Sequence, residues 1–244
     1  MKTFVNFLFA MFFIVQTSMA GTVKELTFSG GAPLNEYQPS VIVPILTEAF
    51  KRNGIRFNAE YRPSLRSLMM SNSGETDGEL HRVYNFHKVS GGKYSNLIRI
   101  ESKLLSVWLV AFASQKVEIE TWNDLKGYKV GYYRGRKNVE KKLNTVLPPE
   151  QILTATTDEE AFRMLASGII DIVISERLQG RKFIVGNPEL SNIVEIASFD
   201  ETKIYAYFHK KHKEIAPAIA KTIEEMKQDG TFSIIFDNIN ETFQ

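Results

Sequence analysis

Along the first part of the chain, short runs of β-branched and aromatic residues alternate with stretches whose apolar positions repeat at helical spacing. The run "KELTFSG" predicts a strand, and residues 40–53 predict a helix because Val41, Ile45, Ala49 and Phe50 share one face. After these come "IRFNAEYR" as a strand, "SLRSLMMSN" as a helix and "DGELHRV" as a strand. This β-α-β-α-β order is typical of a mostly parallel sheet.

The same order starts again in the middle of the chain, after a loop rich in Gly, Ser and Lys and the two extended runs of "NLIRIESKLLSVWLVAFAS". A capped helical turn in "TWNDLKG" precedes the strand "YKVGYY", the helix "RGRKNVEKKLNTV" and the strand "QILTAT". The segment "DEEAFRMLASG" predicts a helix capped by Asp158, and "IDIVISE" predicts a strand. The sequence therefore predicts two similar α/β units.

The last part of the chain does not begin a third unit. It holds two extended runs, "NIVEIASFD" and "KIYAYFHKK", a helix that ends at Gly230, and a shorter helix. We predict that "IYAYFHK" returns to the first unit and that the terminal helices pack there. One lobe would then comprise residues 21–108 and 203–244, and the other residues 109–202. Two crossing connections between lobes are what a hinge requires.

Residues 1–20 have the pattern of a signal peptide: Lys2, an apolar run from Phe4 to Val15, and Ala20 at the cleavage position. A membrane anchor is the alternative, but the apolar run is shorter than the roughly 20 residues that span a bilayer. We therefore predict cleavage after Ala20 and export to the periplasm.

Composition narrows the classes of function further. The chain has no cysteine, which excludes disulfides, thiolate metal sites, a cysteine nucleophile and a lipid-anchored N-terminus. The formal net charge is +2, so no electrostatic argument favours nucleic acid or an anionic membrane as a partner. We predict a monomeric protein without a lipid anchor or a cofactor.

One short pattern occurs in both units. "SGETDGELHR" at residues 73–82 and "SGIIDIVISE" at residues 167–176 share Ser-Gly-x-x-Asp followed by a strand-like run. Open α/β sheets bind ligands at the carboxyl ends of their strands, and these two strands end at Arg82 and Glu176. The alternative is that both are solvated strand ends. We interpret Asp77 and Asp171 as structural residues at a turn.

These segments carry a family resemblance. The export signal, "LTFSGGAP", "RPSLRSLMMSNSGETDGE", "NDLKGYKVGYYRG", "AFRMLASGIIDIVISE" and "AIAKTIEEMKQDGTFSIIFD" resemble the type II periplasmic solute-binding proteins of the amino-acid-binding kind, which are receptors of ABC transporters. The resemblance covers nearly all of residues 22–240. It implies a two-lobed α/β protein that closes on a small zwitterionic or anionic solute and delivers it to a membrane permease.

The resemblance also suggests residues for the ligand site. Glu176 lies where the family places an acidic residue that accepts from an ammonium group, and Arg82 would offer a forked pair of donors to a carboxylate. The family's carboxylate-binding Arg usually comes later, where this chain has "YNFHKVSGG". Arg136 falls where the family uses a small hydroxyl residue, and a second acidic group on the ligand would account for the extra cation.

Aromatic residues would complete such a pocket. The family places ring walls at the positions of Tyr37 and Tyr61. Trp108, near a crossing, is open to three interpretations: pocket wall, hinge packing or core. Tyr132 and Tyr133 alternate on a strand, so at most one of them can face the cleft.

Catalytic alternatives have little support in the sequence. The four His residues form no metal-ligand set, and His81 is predicted to point away from the face that Arg82 occupies. No nucleophile motif is present. The enzyme alternative is a resemblance to periplasmic dehydratases of the same fold that act on prephenate or arogenate, with Glu176 as general acid. A ligand-sensing partner of a membrane receptor is the other. We predict a binding protein without catalytic activity.

Overall fold

The computed structural model describes residues 24–241, so the predicted signal peptide lies outside the described part of the chain. The strands are β1 (Lys24–Gly30), β2 (Ile55–Tyr61), β3 (Gly78–Val83), β4 (Leu97–Arg99), β5 (Leu105–Ala113), β6 (Val130–Tyr133), β7 (Ile152–Ala155), β8 (Ile172–Glu176) and β9 (Val194–His209). The α-helices are α1 (Tyr37–Arg52), α2 (Ser64–Ser73), α3 (Phe86–Val89), α4 (Lys137–Val146), α5 (Asp158–Ala166), α6 (Arg177–Gly186), α7 (Ala216–Gln228) and α8 (Thr231–Asn240).

The strands form one sheet in the order β2-β1-β3-β9-β5-β8-β6-β7, with β4 also paired to β9. Strands β1 to β3 pair in parallel at one end, and β6 to β8 pair in parallel at the other. The two central strands, β5 and β9, run antiparallel to each other and to their outer neighbours. The predicted α/β class, with a mostly parallel sheet in each unit, is confirmed.

Each end of the sheet has its own hydrophobic core. We call β1 to β3 with α1, α2, α7 and α8 the first half, and β6 to β8 with α4 to α6 the second half. Both central strands contribute to both cores: Val107 and Ile204 pack in the first, and Ala111 and Ala197 in the second. Helices α7 and α8 pack on the first core, partly through Phe236. The lobe boundaries given above stay a prediction.

Strand β9 is longer than the sequence indicates. Two separate extended runs were expected, and the structure has a single strand of 16 residues. Its N-terminal part is only half-buried or exposed, while residues 206–209 are buried. The polar stretch around Asp200 and Glu201 therefore breaks the hydrophobic pattern without breaking the strand.

The repeated Ser-Gly-x-x-Asp pattern has the same structural role in both halves. Gly74 ends α2 with φ of 84°, and Gly168 follows α5 with φ of 72°, a left-handed conformation that favours glycine. Asp77 Oδ2 accepts a hydrogen bond from the Thr27 backbone N–H at 2.9 Å, and Asp171 Oδ2 accepts from the N–H of Lys129 at 2.7 Å. Each Asp ties a helix-strand turn to the neighbouring parallel strand, which confirms their structural role.

No helix among residues 24–241 is long and apolar enough to cross a membrane.

Candidate functional site

A cavity of about 70 Å³ lies between the two halves, at the carboxyl ends of β1, β3, β6 and β8. This is the edge where open α/β sheets place their ligands. The first half contributes Gly31, Glu36, Gln38, His81 and Arg82, and the second half contributes Tyr133, Arg136, Asp158, Glu176 and Gln179. The cavity is therefore lined by polar and charged residues from both halves, together with apolar residues such as Val107 and Leu109.

Arg82 is buried and already has a carboxylate partner. Its Nη2 atom donates to Glu79 Oε1 at 2.5 Å, and Glu79 is fully buried behind it. Burial raises the pKa of Glu79, and the positive charge of Arg82 opposes that rise. Arg82 also donates to Ser64 Oγ at 3.3 Å and, across the cleft, to the Gly135 carbonyl at 3.5 Å. The guanidinium is thus held in place at the cavity wall.

Arg136 sits between two acidic residues of its own half. Its Nη1 atom donates to Asp158, its Nη2 atom lies 3.4 Å from Glu176 Oε1, and its side chain is only 10% exposed. Burial alone would lower the pKa of Arg136, but the carboxylates of Asp158 and Glu176 outweigh it and raise the pKa. Burial raises the pKa of Glu176, and Arg136 acts in the opposite direction. The extra cation is therefore matched by Asp158, and it does not require a second acidic group on a ligand.

Glu36 adds another acidic group to the cavity. It lies just before α1 in the first half and faces the second half. Burial raises the pKa of Glu36 to about 8, Asp158 and Glu176 add to the rise, and Arg136 and Lys182 oppose it. The carboxyl group is therefore protonated in a large fraction of molecules at neutral pH.

Four buried side-chain atoms of the described residues lack a hydrogen-bond partner, and all four belong to residues that line this cavity. They are Gln38 Oε1, His81 Nε2, Arg82 Nε and Arg136 Nε. Buried polar atoms are almost always paired in folded proteins, because an unpaired one costs roughly 1–3 kcal/mol. Their concentration around one cavity indicates a place where a polar ligand or water completes the hydrogen bonding.

The prediction that His81 points away from Arg82 was wrong. Both side chains line the cavity, because the register of β3 against β9 shifts between Glu79 and Arg82. Such an irregularity interrupts the strict alternation of side chains along a strand. Burial, together with Arg82 and Arg136, lowers the pKa of His81 to about 3, so its imidazole is neutral.

Hydrogen bonds join the two halves across the cavity. The Tyr133 hydroxyl donates to the Gly31 carbonyl at 2.6 Å, and the Tyr37 backbone N–H donates to Gln179 Oε1 at 2.9 Å. The Gln38 amide also donates to Glu176. These contacts describe a closed arrangement of the two halves.

We expect Tyr133→Phe to weaken the closed arrangement, because it removes the hydroxyl that reaches Gly31 and a typical hydrogen bond contributes about 0.5–1.5 kcal/mol. Small-angle X-ray scattering of the ligand-free variant should give a larger radius of gyration than the wild type. Tyr128→Phe, a change in the second core, is the matched control. Equal radii for wild type and Tyr133→Phe would show that this bond does not hold the cleft closed.

Of the six residues singled out from the sequence, Arg82, Arg136 and Glu176 line the cavity. Tyr37 is buried, and its hydroxyl donates to Asn240 Oδ1 at 3.2 Å. Tyr61 is 38% exposed and lies beside a smaller pocket next to Asp158.

Trp108 is 43% exposed, with the Arg177 guanidinium 5.7 Å from its ring centre. Its neighbours Val107 and Leu109 line the cavity, so alternation along β5 turns Trp108 to the opposite face. Trp108 is therefore neither part of the buried core nor part of the cavity wall, which were two of the three interpretations of this residue. For Trp108, hinge packing is the interpretation that stays a prediction, and so does a role for Tyr37 or Tyr61 in ligand binding.

Tyr133 lines the cavity while Tyr132 packs in the second core, which confirms that only one of the two faces the cleft.

Sequence reasoning missed several cavity residues, namely Glu36, Gln38, Asp158 and Gln179. Asp158 was assigned as a helix cap, but the cap of α5 is Thr157, whose Oγ1 accepts from the Glu160 N–H at 3.1 Å. The Asp158 carboxylate is therefore free to pair with Arg136. The sequence does contain a signal for this: Thr157 and Asp158 are both residues that can cap a helix, and only one of them is needed for the cap.

The residues that the structure describes include no group of three or more His, Asp or Glu side chains placed to hold a metal ion.

The chain was compared with known protein families, with known sequences and with solved structures. No protein-family model matches the chain. An uncharacterized protein of Shewanella oneidensis is 35% identical over 193 residues, which cover 77% of this chain and 71% of that protein.

Similar solved structures include a mutant of ArgBP from T. maritima (TM-score 0.73, 14% identity, covering 89% of this chain and 95% of that one). A second is the amino acid ABC transporter substrate-binding protein AbpA from Streptococcus pneumoniae bound to L-arginine (TM-score 0.72, 17% identity, 90% and 95%). A third is a histidine kinase sensor domain with similarity to periplasmic binding proteins (TM-score 0.69, 16% identity, 88% and 95%). The chain therefore has the type II periplasmic binding protein fold and belongs to the same family as the Shewanella oneidensis protein.

Proposed function

We propose that this protein is an exported, periplasmic solute-binding protein that closes its two halves around a small amino-acid-like solute and delivers it to the permease of an ABC transporter. The observation that carries the proposal is the set of four unpaired polar atoms around one cavity between the halves. A binding site needs such atoms before the ligand arrives, whereas a structural cleft would have paired them.

The unpaired atoms and the charges beside them fit the two ends of an amino acid. Arg82 and Arg136 each keep an Nε–H donor available, and an N–H donor pairs well with a carboxylate oxygen. Gln38 Oε1 is an acceptor and lies beside Glu176, which suits an ammonium group. We therefore assign the ligand's carboxylate to the Nε–H donors of Arg82 and Arg136, and its ammonium group to Gln38 and Glu176.

Closure follows from where these residues lie. Gln38, His81 and Arg82 belong to the first half, while Arg136 and Glu176 belong to the second. A solute that contacts both sets stabilises the shut arrangement relative to the open one, by the difference in its affinity for the two. The antiparallel strands β5 and β9 run between the halves and are the elements that would bend.

We propose binding in preference to catalysis. The similar solved structures named above are those of binding proteins and of a sensor domain. In the dehydratase alternative Glu176 would donate a proton. Burial raises the pKa of Glu176, but its contacts with Arg136 and with the Gln38 amide oppose that rise and occupy the carboxylate that would have to reach a substrate.

A sensory role is the second candidate, and the likeness to the histidine kinase sensor domain favours it. The same closed form would then be presented to a membrane receptor. Uptake of the labelled solute by cells with and without the gene separates the two roles. Loss of uptake on deletion supports transport, and unchanged uptake with a lost response to the solute supports sensing.

The binding proposal is tested by thermal unfolding of the ligand-stripped protein against amino acids, dicarboxylates, short peptides and prephenate. A solute at 100 times its dissociation constant adds about 2.7 kcal/mol to the free energy of unfolding. We expect a clear rise in melting temperature with at least one amino acid. A response confined to prephenate would favour the enzyme alternative, and no response to any solute would contradict the proposal.

A further inference from the structure

The charges around the cavity do not balance. Three carboxylates line it, those of Glu36, Asp158 and Glu176, and a fourth, Glu79, lies directly behind Arg82. The positive charges that face these four carboxylates are two guanidinium groups, those of Arg82 and Arg136.

The other cations nearby are engaged elsewhere. Lys137 also lines the cavity, but its ammonium pairs with Glu140 at 2.6 Å. Lys182, which is exposed to solvent on α6, donates to the Asn35 carbonyl at 3.0 Å and offsets the charge of Glu36 only in part. Counted with Glu79, Asp158 and Glu176 ionised, as their contacts with Arg82 and Arg136 favour, the cavity has an excess of negative charge, of two when Glu36 is ionised and of one when it is protonated.

A buried excess of charge restricts what can enter. An anionic solute would add to the excess, and a zwitterion would leave it unmatched among largely buried side chains, where unpaired charge is costly. A solute with net positive charge removes the excess. The free Nε–H donors of Arg82 and Arg136 still call for an acceptor such as a carboxylate.

Resting on the proposed solute-binding function, we infer that the site selects solutes that carry both a carboxylate and a net positive charge, with Glu36 as the residue that sets this preference. Basic amino acids are the simplest members of this class. This inference departs from the sequence-based prediction of a zwitterionic or anionic solute, because it requires a net positive charge.

Glu36 is suited to that role because it is the carboxylate with no close cationic partner. The charged groups that face it are Asp158, Glu176, Arg136 and, from α6, Lys182. Its pKa of about 8 means that most molecules carry a proton on Glu36 at neutral pH. An incoming cation favours the ionised form, so binding releases a proton, and affinity rises with pH until about 8.

The test is isothermal titration calorimetry of the ligand-stripped protein with L-arginine, L-lysine, L-glutamine, L-glutamate and putrescine. We expect one of the basic amino acids to bind at least about 30-fold more tightly than glutamine or glutamate. We also expect it to bind more tightly than putrescine, which lacks the carboxylate. Titration in two buffers with different ionisation enthalpies should show release of up to one proton per ligand at pH 7.

Glu36→Gln should reduce the preference for the basic amino acid over glutamine at least about 10-fold and abolish proton release. Glu150→Gln, at an exposed position outside the cavity, is the matched control and should change neither. Circular dichroism and a melting curve check that both variants fold. If Glu36→Gln does not fold, the proton release of the wild type remains the test.

The outcomes separate the two proposals. Binding of glutamine, glutamate or another uncharged or acidic solute as tightly as the basic amino acids overturns the inferred preference and leaves the binding function standing. Equal affinity for putrescine overturns the requirement for a carboxylate. Binding of no solute of any charge overturns both the preference and the proposed function.

Discussion

Replacing Arg136 with alanine is expected to lower the free energy of unfolding by about 3–5 kcal/mol, because the change leaves two nearly buried carboxylates without their cation. Asp158 and Glu176 are 3% and 8% exposed at their side chains, and both contact Arg136. Urea unfolding followed by circular dichroism measures the loss. Arg134→Ala, at an exposed position two residues earlier, is the control and should cost less than about 0.5 kcal/mol.

The pH dependence of the Arg136→Ala variant gives a second readout. Burial already raises the pKa of Glu176, and without Arg136 the hydrogen bond from the Gln38 amide is the remaining contact that opposes that rise. A group whose pKa is higher in the folded than in the unfolded protein stabilises the fold at low pH and loses that contribution as the pH rises through the folded value. The variant should therefore recover part of its deficit as the pH is lowered. A deficit that is below about 1 kcal/mol and independent of pH would contradict the ion-pair account.

Truncation of Glu176 to alanine should weaken binding of the solute by about 2–5 kcal/mol, which is roughly 30-fold to several thousand-fold in the dissociation constant. The loss arises because the ligand's cation would be buried without a partner. The fold should tolerate this change better than Arg136→Ala, because Arg136 keeps Asp158 as a partner. Calorimetric titration measures the affinity, with Glu150→Ala as the control. Unchanged affinity in Glu176→Ala would remove Glu176 from the site.

Arg82 requires a gentler substitution. Alanine there would leave the fully buried Glu79 unpaired and confuse folding with binding. Lysine keeps a positive charge beside Glu79 but lacks the planar guanidinium group with its several N–H donors. The Arg82→Lys variant therefore isolates the contribution of the guanidinium geometry to ligand binding.

The alternation of strands and helices was readable from the sequence because period-2 and period-3.6 patterns depend on nearby residues alone. The same holds for the repeated Ser-Gly-x-x-Asp turn, whose Gly and Asp act within a few residues and one neighbouring strand. The ends of β3 and β8 could be assigned to a ligand site because strand ends of parallel sheets meet at a known edge. Arg82 and Glu176 both lie in the cavity as a result.

The residues that the sequence did not reveal depend on contacts between distant segments. Asp158 pairs with Arg136, 22 positions away, and no local pattern predicts that choice over helix capping. His81 reaches the cavity only because of a register shift against β9, which lies more than a hundred residues later. Glu36 belongs to the site because the first half closes on the second. The negative charge of the cavity could not be predicted from the sequence either, because it depends on which distant segments meet there.

The central claim is that a small solute binds between Arg82, Arg136 and Glu176. The most direct measurement is a crystal structure of the protein grown with the solute that raises its melting temperature most. We predict ligand density in the cavity, with a carboxylate against the free Nε–H of Arg82 or Arg136 and a cationic group against Glu36 or Glu176. An empty cavity, or the solute bound elsewhere on the protein, would contradict the account.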